Sequence, residues 1–420
     1  MRFFFATSFA FAAAVNSVPS LAQSSPDVAS LRKELETLRT EQAQTTAKID
    51  RVEALINQLA GAAIMPLPDK APAATVSPAA TASALDVAGD VRLRYESNFG
   101  DRDARNRNRA VLRARLRGSY AISGWLSVGA QLTTGDPDDP NSSDVTLSNF
   151  DDDLQVSLDQ AWLRAKSGGF EIAVGKIPQP FVRTDMVWDG DVNPEGIATS
   201  VKTQLGASVS LKASGLYFVV DESVSGPDSY MVGGQITLET KPSSILKLDA
   251  SIGHFNYSLA SVAGGDTGDF RSNRFASGRY LSDFNLLDII GSATWTGLGN
   301  RWPVKLTGDY VRNFGATTPA DKGFSVSATF GRVRDRGDWR VGYGFASVET
   351  DAVLAAFSED NTSLATNYIQ HNVGIDYVVR PHLILSGTYY RFKPKNAADA
   401  GSNDPTDWLN RLRINLLAEF

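Results

Sequence analysis

The sequence predicts an all-β protein, a transmembrane antiparallel β-barrel of about 16 strands, preceded by a short α-helical coiled-coil segment. Three observations predict it. Apolar and polar residues alternate through residues 85–420, short turns alternate with long loops, and the chain ends on an amphipathic strand. Because successive side chains of a strand point to opposite faces, such alternation gives each strand one apolar and one polar face.

The first residues have the features of a secretory signal peptide. Arg2 precedes an apolar run over residues 3–15, and Ser20 and Ala22 are small residues at the two positions that a signal peptidase reads. The run is about thirteen residues long, whereas a membrane-spanning helix needs roughly twenty. We therefore expect residues 1–22 to be removed on export.

Residues 23–60 predict a periplasmic coiled-coil helix. From Val28 to Leu59, mostly apolar residues recur every three or four positions and would form one stripe along a helix. Its apolar seam comprises Leu31, Leu35, Leu38, Ile49, Val52, Ile56 and Leu59, interrupted by Gln42 and Thr45. An amphipathic helix that folds onto its own barrel is the alternative. The seam does not separate a dimer from a trimer. Residues 61–84, rich in Ala, Pro, Thr and Ser, predict an extended linker.

Residues 85–420 predict the barrel itself. Short turns are predicted at 122–125, 166–170, 212–216, 241–245, 297–301, 334–338 and 379–382, and long loops at 97–108, 135–153, 176–199, 258–285, 349–366 and 393–406. Short turns on one rim and long loops on the other are typical of bacterial outer-membrane barrels. Counting the strands gives sixteen, although fourteen or eighteen remains open around residues 206–221. A soluble β-sandwich also alternates, but it takes about 100 residues.

The terminal strand, residues 408–420, has an apolar face and a polar face and stops on Phe420. It resembles the last strand of bacterial outer-membrane barrels, in which the terminal Phe belongs to the signal read by the barrel-assembly machinery. The resemblance implies an outer-membrane location, with outer-membrane lipid and lipopolysaccharide around the barrel. We expect this strand to close the barrel against the first strand, with Arg411 and Arg413 beside Arg92 and Arg94.

Composition argues against several other functions. The net charge of −6 argues against a nucleic-acid partner, and the absence of Cys removes thiolate chemistry. The three histidines, His254, His371 and His382, are too scattered to predict a metal site. Acidic residues crowd loop 135–153, where Ca²⁺ is conceivable, but their spacing favours a solvated acidic loop. We therefore expect no enzyme activity, no metal and no cofactor.

The inward face of the predicted barrel carries the residues expected to control passage. Basic residues dominate one side, and the predicted basic wall comprises Arg92, Arg94, Arg109, Arg113, Arg115, Arg117, Arg411 and Arg413. The long loop 176–199 is expected to narrow the pore, and its charged residues are Lys176, Arg183, Asp185, Asp189, Asp191 and Glu195. Arginines facing an acidic loop would create a transverse field across the pore. Alternatively, the arginines pair with Asp86, Asp90 and Glu96 and hold the barrel wall.

The run GKIPQPF at residues 175–181, followed by WDGDVNPEG at 188–196, resembles a motif of the bacterial putative porin family. Members of that family combine a signal peptide, a helical N-terminal segment and a barrel. The resemblance, which covers nearly the whole chain, implies a homotrimeric porin that passes small hydrophilic solutes and ions by diffusion.

Two other functions remain open. One is a structural barrel that tethers the envelope through cell-wall contact of its coiled coil. The other is an anion or phosphate channel, because arginine binds oxyanions in a bidentate manner. An acidic constriction loop disfavours the phosphate channel.

Overall fold

A computed structural model describes residues 84–100, 106–147, 153–260, 271–399 and 408–420, together with Lys33, Glu36 and Arg39. These three isolated residues have helical backbone and exposed side chains. The predicted signal peptide, the coiled-coil seam and almost all of the linker lie outside the described residues. Within the described part of the chain, no helix is long and apolar enough to cross a membrane.

Sixteen long strands form one antiparallel sheet in the described residues. In chain order they are β1 Leu85–Phe99, β2 Arg107–Ala121, β3 Leu126–Thr134, β4 Val156–Ser167, β5 Phe170–Lys176, β6 Glu195–Gln204, β7 Val209–Asp221, β8 Ser229–Ser243, β9 Leu246–Ser258, β10 Asn285–Trp295, β11 Val304–Asn313, β12 Lys322–Gly331, β13 Trp339–Val348, β14 Tyr368–Arg380, β15 Leu383–Pro394 and β16 Leu409–Glu419. Each strand pairs with the next, and β16 pairs with β1, so the sheet closes. The prediction of sixteen strands is confirmed.

Smaller elements lie in the long loops. The two-residue strand Val145–Thr146 pairs with β2, and Phe275–Ala276 pairs with Arg279–Tyr280. Single 3-10 turns occur at Ala355–Phe357 and at Ala397–Asp399.

Turn lengths alternate as predicted, with corrections at four places. Residues 212–216 were predicted to form a short turn, but they lie inside β7, and the turn is at 205–208. Gly215 pairs with Thr199 of β6 and with Gly234 of β8, so neighbouring strands on both sides override its local preference. Longer connections at 222–228 and 314–321 were not predicted. The predicted loop 176–199 is shorter than expected, because β5 and β6 continue to Lys176 and from Glu195.

The two faces of the barrel wall differ in the way that a membrane requires. On β1, Val87 and Leu93 are 54% and 48% exposed, while Arg94 and Glu96, which face inward, are 7% and 0% exposed. Aromatic side chains lie in pairs near both rims. On the short-turn rim they are Trp302–Phe330 and Trp339–Tyr377, and on the long-loop rim Phe99–Tyr389 and Tyr217–Tyr230. An outward apolar band between two aromatic girdles is typical of an outer-membrane barrel.

The chain terminus completes the barrel seam. Phe420 exchanges two backbone hydrogen bonds with Gly89, at 2.9 and 3.0 Å. A Cβ at position 89 would lie 2.4 Å from Cζ of the Phe420 ring, so glycine gives the terminal ring its place. The predicted pairing of the last strand with the first is confirmed. The expectation that Arg411 and Arg413 lie beside Arg92 and Arg94 is wrong. Because Phe420 pairs at Gly89, Arg411 and Arg413 lie opposite Asn98 and Glu96.

Candidate functional site

Loop 177–194, between β5 and β6, folds onto the inner wall of the barrel. Its Trp188 is fully buried and contacts the rings of Phe255 and Phe357, with centroids 5.6 and 5.9 Å away. Phe218 and Tyr257 complete this aromatic cluster at 6.5 and 6.3 Å. Burial of such large rings is a strong contribution to packing, so the loop is fixed inside the barrel by apolar contacts.

Polar contacts from the strands fix the same loop. Gln235 of β8 accepts a hydrogen bond from the Val182 amide at 2.8 Å and donates one to the Val182 carbonyl at 2.7 Å. Lys212 of β7 donates to the Pro180 carbonyl at 3.0 Å, and Thr184 bonds to Asp309 of β11. Strands β7, β8 and β11 therefore hold the loop at three successive points.

The charged residues predicted for this loop divide into three groups. Lys176 and Glu195 form an ion pair of 2.9 Å at the ends of β5 and β6, where the loop begins and ends. Arg183 pairs with Asp185 at 3.2 Å and donates to the Trp188 carbonyl at 3.1 Å. Asp185 is half exposed, with 51% of its side chain accessible.

The remaining two, Asp189 and Asp191, lie deeper. Asp189 is buried, and one of its carboxylate oxygens accepts a 2.9 Å hydrogen bond from the Asp191 amide. Asp191 reaches the basic wall. The structure therefore brings the loop and the wall together at one direct contact.

That contact is made at Arg115, in the middle of the basic wall. Arg115 pairs with Asp90 at 2.8 Å and with Asp191 at 3.1 Å, and Arg113 pairs with Asp90 at 2.9 Å. Arg117, two residues further towards the short turn, is exposed and has no ion pair with the described residues. Arg113 and Arg115 thus pair with Asp90 within the wall, and Arg115 also contacts loop 177–194, while their role in lining the pore stays a prediction.

A second group of the basic wall surrounds Glu96 at the barrel seam. Arg413 and Arg109 approach its carboxylate at 2.8 and 2.7 Å, and Arg411 lies 3.8 Å away. Glu96 is fully buried between them. Three guanidinium groups carry more N–H donors than one carboxylate can accept, so further hydrogen-bond acceptors are needed.

Loop 349–367, between β13 and β14, supplies hydrogen-bond acceptors to these arginines. Arg413 donates to the side-chain oxygen of Asn361 and Arg411 to its carbonyl, both at 2.9 Å. The Asn361 amide in turn lies 3.4 Å from Asp185. The same loop accepts a 2.8 Å hydrogen bond at the Phe357 carbonyl from the backbone of residue 189. Asn361 thus bridges the basic wall and loop 177–194, a role that was not predicted.

Loop 135–155, between β3 and β4, neutralises the third group of arginines. Asp144 bonds to Arg92 and, at 2.5 Å, to Arg94. The amide of Ser143 donates to Asp191 at 3.3 Å. This loop was expected to be solvated, but Asp144 is largely buried because two arginines bind it.

A cavity of about 500 Å³ lies between loops 135–155 and 177–194. Its wall carries Asp138, Asp159 and Glu195 together with Lys176, and Phe218 contributes an apolar side. The cavity is therefore predominantly acidic, in contrast to the basic wall.

The carboxyl groups of the loops differ in acidity. Burial, together with repulsion from Asp360 and Asp185, raises the pKa of Asp189 to about 9. Burial and the same two carboxylates raise the pKa of Glu359 to about 8. At Asp144 burial is again the largest single influence and raises the pKa, but Arg92 and Arg94 together outweigh it, and the pKa is lowered. Both Asp189 and Glu359 therefore favour their neutral, protonated forms inside the barrel.

Several of these functional residues were missed from the sequence, notably Trp188, Asn361 and Glu359. The sequence did contain a signal for Trp188. Loop 177–194 contains Phe181 and Trp188 among other apolar residues, which is unusual for a loop exposed to water. No local signal marked Asn361, because its partners lie on other strands and loops.

Comparisons with known proteins agree with this architecture. The model of a family described as "Putative porin" matches residues 101–274, which include β2 to β9 and loop 177–194. The high-pH structure of Pseudomonas putida OprB is 13% identical, covers 80% of this chain and 94% of its own, and has a TM-score of 0.54. No curated protein matches the chain.

Two further solved structures are similar at lower TM-scores. Salmonella typhi OmpF in complex with daunomycin is 11% identical, covers 80% of this chain and 97% of its own, and has a TM-score of 0.49. The trimer form of Vibrio cholerae OmpT is 13% identical, with coverages of 80% and 100% and a TM-score of 0.47. The family match includes the GKIPQPF and WDGDVNPEG segments, and together with the OprB fold it supports an outer-membrane channel. The resemblance of this chain to the bacterial outer-membrane putative porin family is thereby confirmed.

Proposed function

We propose that the protein is a porin that lets small hydrophilic solutes and ions cross the outer membrane by passive diffusion, with loop 177–194 as its constriction. The observation that carries this proposal is the attachment of that loop to the inner wall of a closed sixteen-stranded barrel. A barrel of this size is too wide for side chains from its strands alone to fill. A loop fixed inside it by Trp188 and Gln235 therefore sets the width of the passage.

The charge pattern supports passage of small polar solutes over selective passage of phosphate. A phosphate site needs guanidinium groups that are free to bind oxyanions. Seven arginines of the basic wall instead contact Asp90, Glu96, Asp144 or Asp191. We expect no enzyme activity and no cofactor, since the charged groups serve to hold loops and wall.

A second candidate is a structural barrel with little flux, whose N-terminal segment reaches the cell wall. The contacts across the lumen favour it, because loops 135–155, 177–194 and 349–367 are joined to one another and to the basic wall. Asn141, for example, donates a 2.6 Å hydrogen bond to the Ser358 carbonyl.

Planar bilayers containing the purified full-length protein distinguish the two candidates. The porin proposal predicts stepwise increases in conductance, each from the insertion of one assembly. Protein that inserts as a folded barrel but gives no steps would refute the proposal and favour the structural candidate.

The same proposal includes the partners inferred from the sequence. We propose a homotrimer with its N-terminal coiled coil in the periplasm, delivered by assembly machinery that reads Phe420. The terminal ring supports this, since it is 65% exposed at the barrel seam. Cross-linking of the protein in membranes tests the trimer, and truncation of Phe420 tests the assembly signal.

A further inference from the structure

An outward-facing group of basic and aromatic side chains lies at the long-loop rim of the barrel. Arg391 and Lys393 of β15 flank the inward-facing Phe392, which is 2% exposed, so both cations point away from the lumen. Both lie over the ring of Trp408, with Cζ of Arg391 5.3 Å and Nζ of Lys393 5.0 Å from its centroid. The ring of His371 lies 5.7 Å from the same indole. We call Arg391, Lys393 and Trp408 the rim patch.

The rim patch differs from other cations at the long-loop rim. Arg312 and Lys322 share Asp321, at 3.0 and 3.7 Å, and Lys395 pairs with Glu349 at 3.0 Å. The two cations of the rim patch form no ion pair with any described residue. Two like charges held over one aromatic ring repel each other, and an anion between them would relieve that repulsion.

The position of the rim patch indicates the source of the anion. Tyr389, two residues before Arg391 and on the same face of β15, stacks with Phe99 in the aromatic girdle at 6.5 Å. Two residues of a strand span about 7 Å, so the cations begin just beyond the girdle on the side of the long loops. Lipid headgroups lie at this level, because girdle aromatics mark the boundary between hydrocarbon and polar headgroups.

We propose that the rim patch binds a phosphorylated headgroup of an outer-leaflet lipid. Arg391 and Lys393 would bind the phosphate, and the Trp408 ring would hold both cations in place while contacting the lipid beside them. Basic residues next to aromatic anchors suit phosphorylated headgroups, which offer several oxyanions at one depth. The inference depends on the barrel lying in the outer membrane, but not on its conducting ions.

The test uses the full-length protein in detergent micelles and lipid A as the probe. Binding of bisphosphorylated lipid A is compared with binding of lipid A from which both phosphates have been removed. We expect the double variant Arg391→Gln/Lys393→Gln to bind the phosphorylated lipid about 30-fold more weakly, and each single variant about fivefold more weakly. Dephosphorylated lipid should bind equally to all of them.

The matched control removes two exposed cations from the short-turn rim, as Arg334→Gln/Arg336→Gln, and should leave lipid binding unchanged. Circular dichroism and heat-dependent gel mobility verify that each variant is a folded barrel. Equal affinity of the double variant and the unaltered protein would overturn the proposal, as would an equal loss in the control. Displacement of the lipid by millimolar inorganic phosphate would identify a site for free phosphate and refute the assignment to lipid. Bilayer conductance should be the same for the double variant, which keeps this test separate from that of the porin proposal.

Discussion

Replacement of Trp188 by Ala should release loop 177–194 from the inner wall. The indole is fully buried among Phe218, Phe255, Tyr257 and Phe357. Truncating a buried Trp to Ala usually costs about 3–5 kcal/mol. Since about 1.4 kcal/mol corresponds to a factor of ten, the attached state of the loop would lose a factor of roughly 10² to 10³ or more. The barrel should survive, because Trp188 belongs to no strand.

The assay is single-channel conductance in planar bilayers, together with thermal unfolding of the barrel. Trp188→Ala should give larger conductance steps with more noise and little change in melting temperature. Trp188→Phe is the conservative control, because the indole Nε1 has no hydrogen-bond partner among the described residues and a ring still fills the site. Trp125→Ala, at an exposed turn, is the control for loss of an indole elsewhere. Folded Trp188→Ala protein with unaltered steps would refute the reasoning that this loop is the constriction.

Three further predictions concern charge, protons and the N-terminal segment. Arg113→Ala/Arg115→Ala leaves the Asp90 carboxylate without cations. The reversal potential in a salt gradient should therefore shift towards cation selectivity. An unchanged reversal potential would place these residues outside the constriction. Glu359 has a pKa of about 8 in the folded loop against an ordinary 4.5, so attachment of its loop is strongest below pH 4.5 and weakens by about 5 kcal/mol as the pH rises to 8. Conductance should therefore increase over that range, and Glu359→Gln should remove the dependence on this group; the same pH profile in the variant would contradict the assignment. Deleting residues 28–59 should leave conductance intact while altering assembly or envelope integrity. Loss of channels from a correctly inserted barrel would contradict the division into an N-terminal coiled-coil segment and a separate barrel.

The barrel could be predicted from the sequence because its signals are local. Alternation along each strand and the lengths of the connections require no knowledge of distant contacts. The error at residues 212–216 shows where this approach is limited. Ser214-Gly215 favours a turn by itself, but pairing with β6 and β8 keeps the segment extended.

The candidate site was predictable only in part, for a different reason. Alternation assigns Arg94, Arg113 and Arg413 to the inward face, because successive side chains of a strand point to opposite faces, and all three are buried. Their partners depend on the paths of three loops and on the β1–β16 register. Asp144 and Asn361 are far from these arginines in sequence, so neither pairing could be found by inspecting neighbours along the chain.

Arg115 shows why the wall and the constriction act as one unit. Its guanidinium group binds Asp90 on the neighbouring strand and Asp191 on loop 177–194 at the same time. The side chains of Arg115 and Asp191 are only partly buried, so removing one costs less than the about 3–5 kcal/mol of a fully buried ion pair, but it still leaves the other charge uncompensated. A substitution at Arg115 therefore changes the charge of the passage and weakens the attachment of its loop together. Replacing Asp191 with Asn tests this coupling, since it keeps the arginines of the wall and should alter both ion selectivity and channel noise; a change in selectivity alone would show that wall and loop act independently.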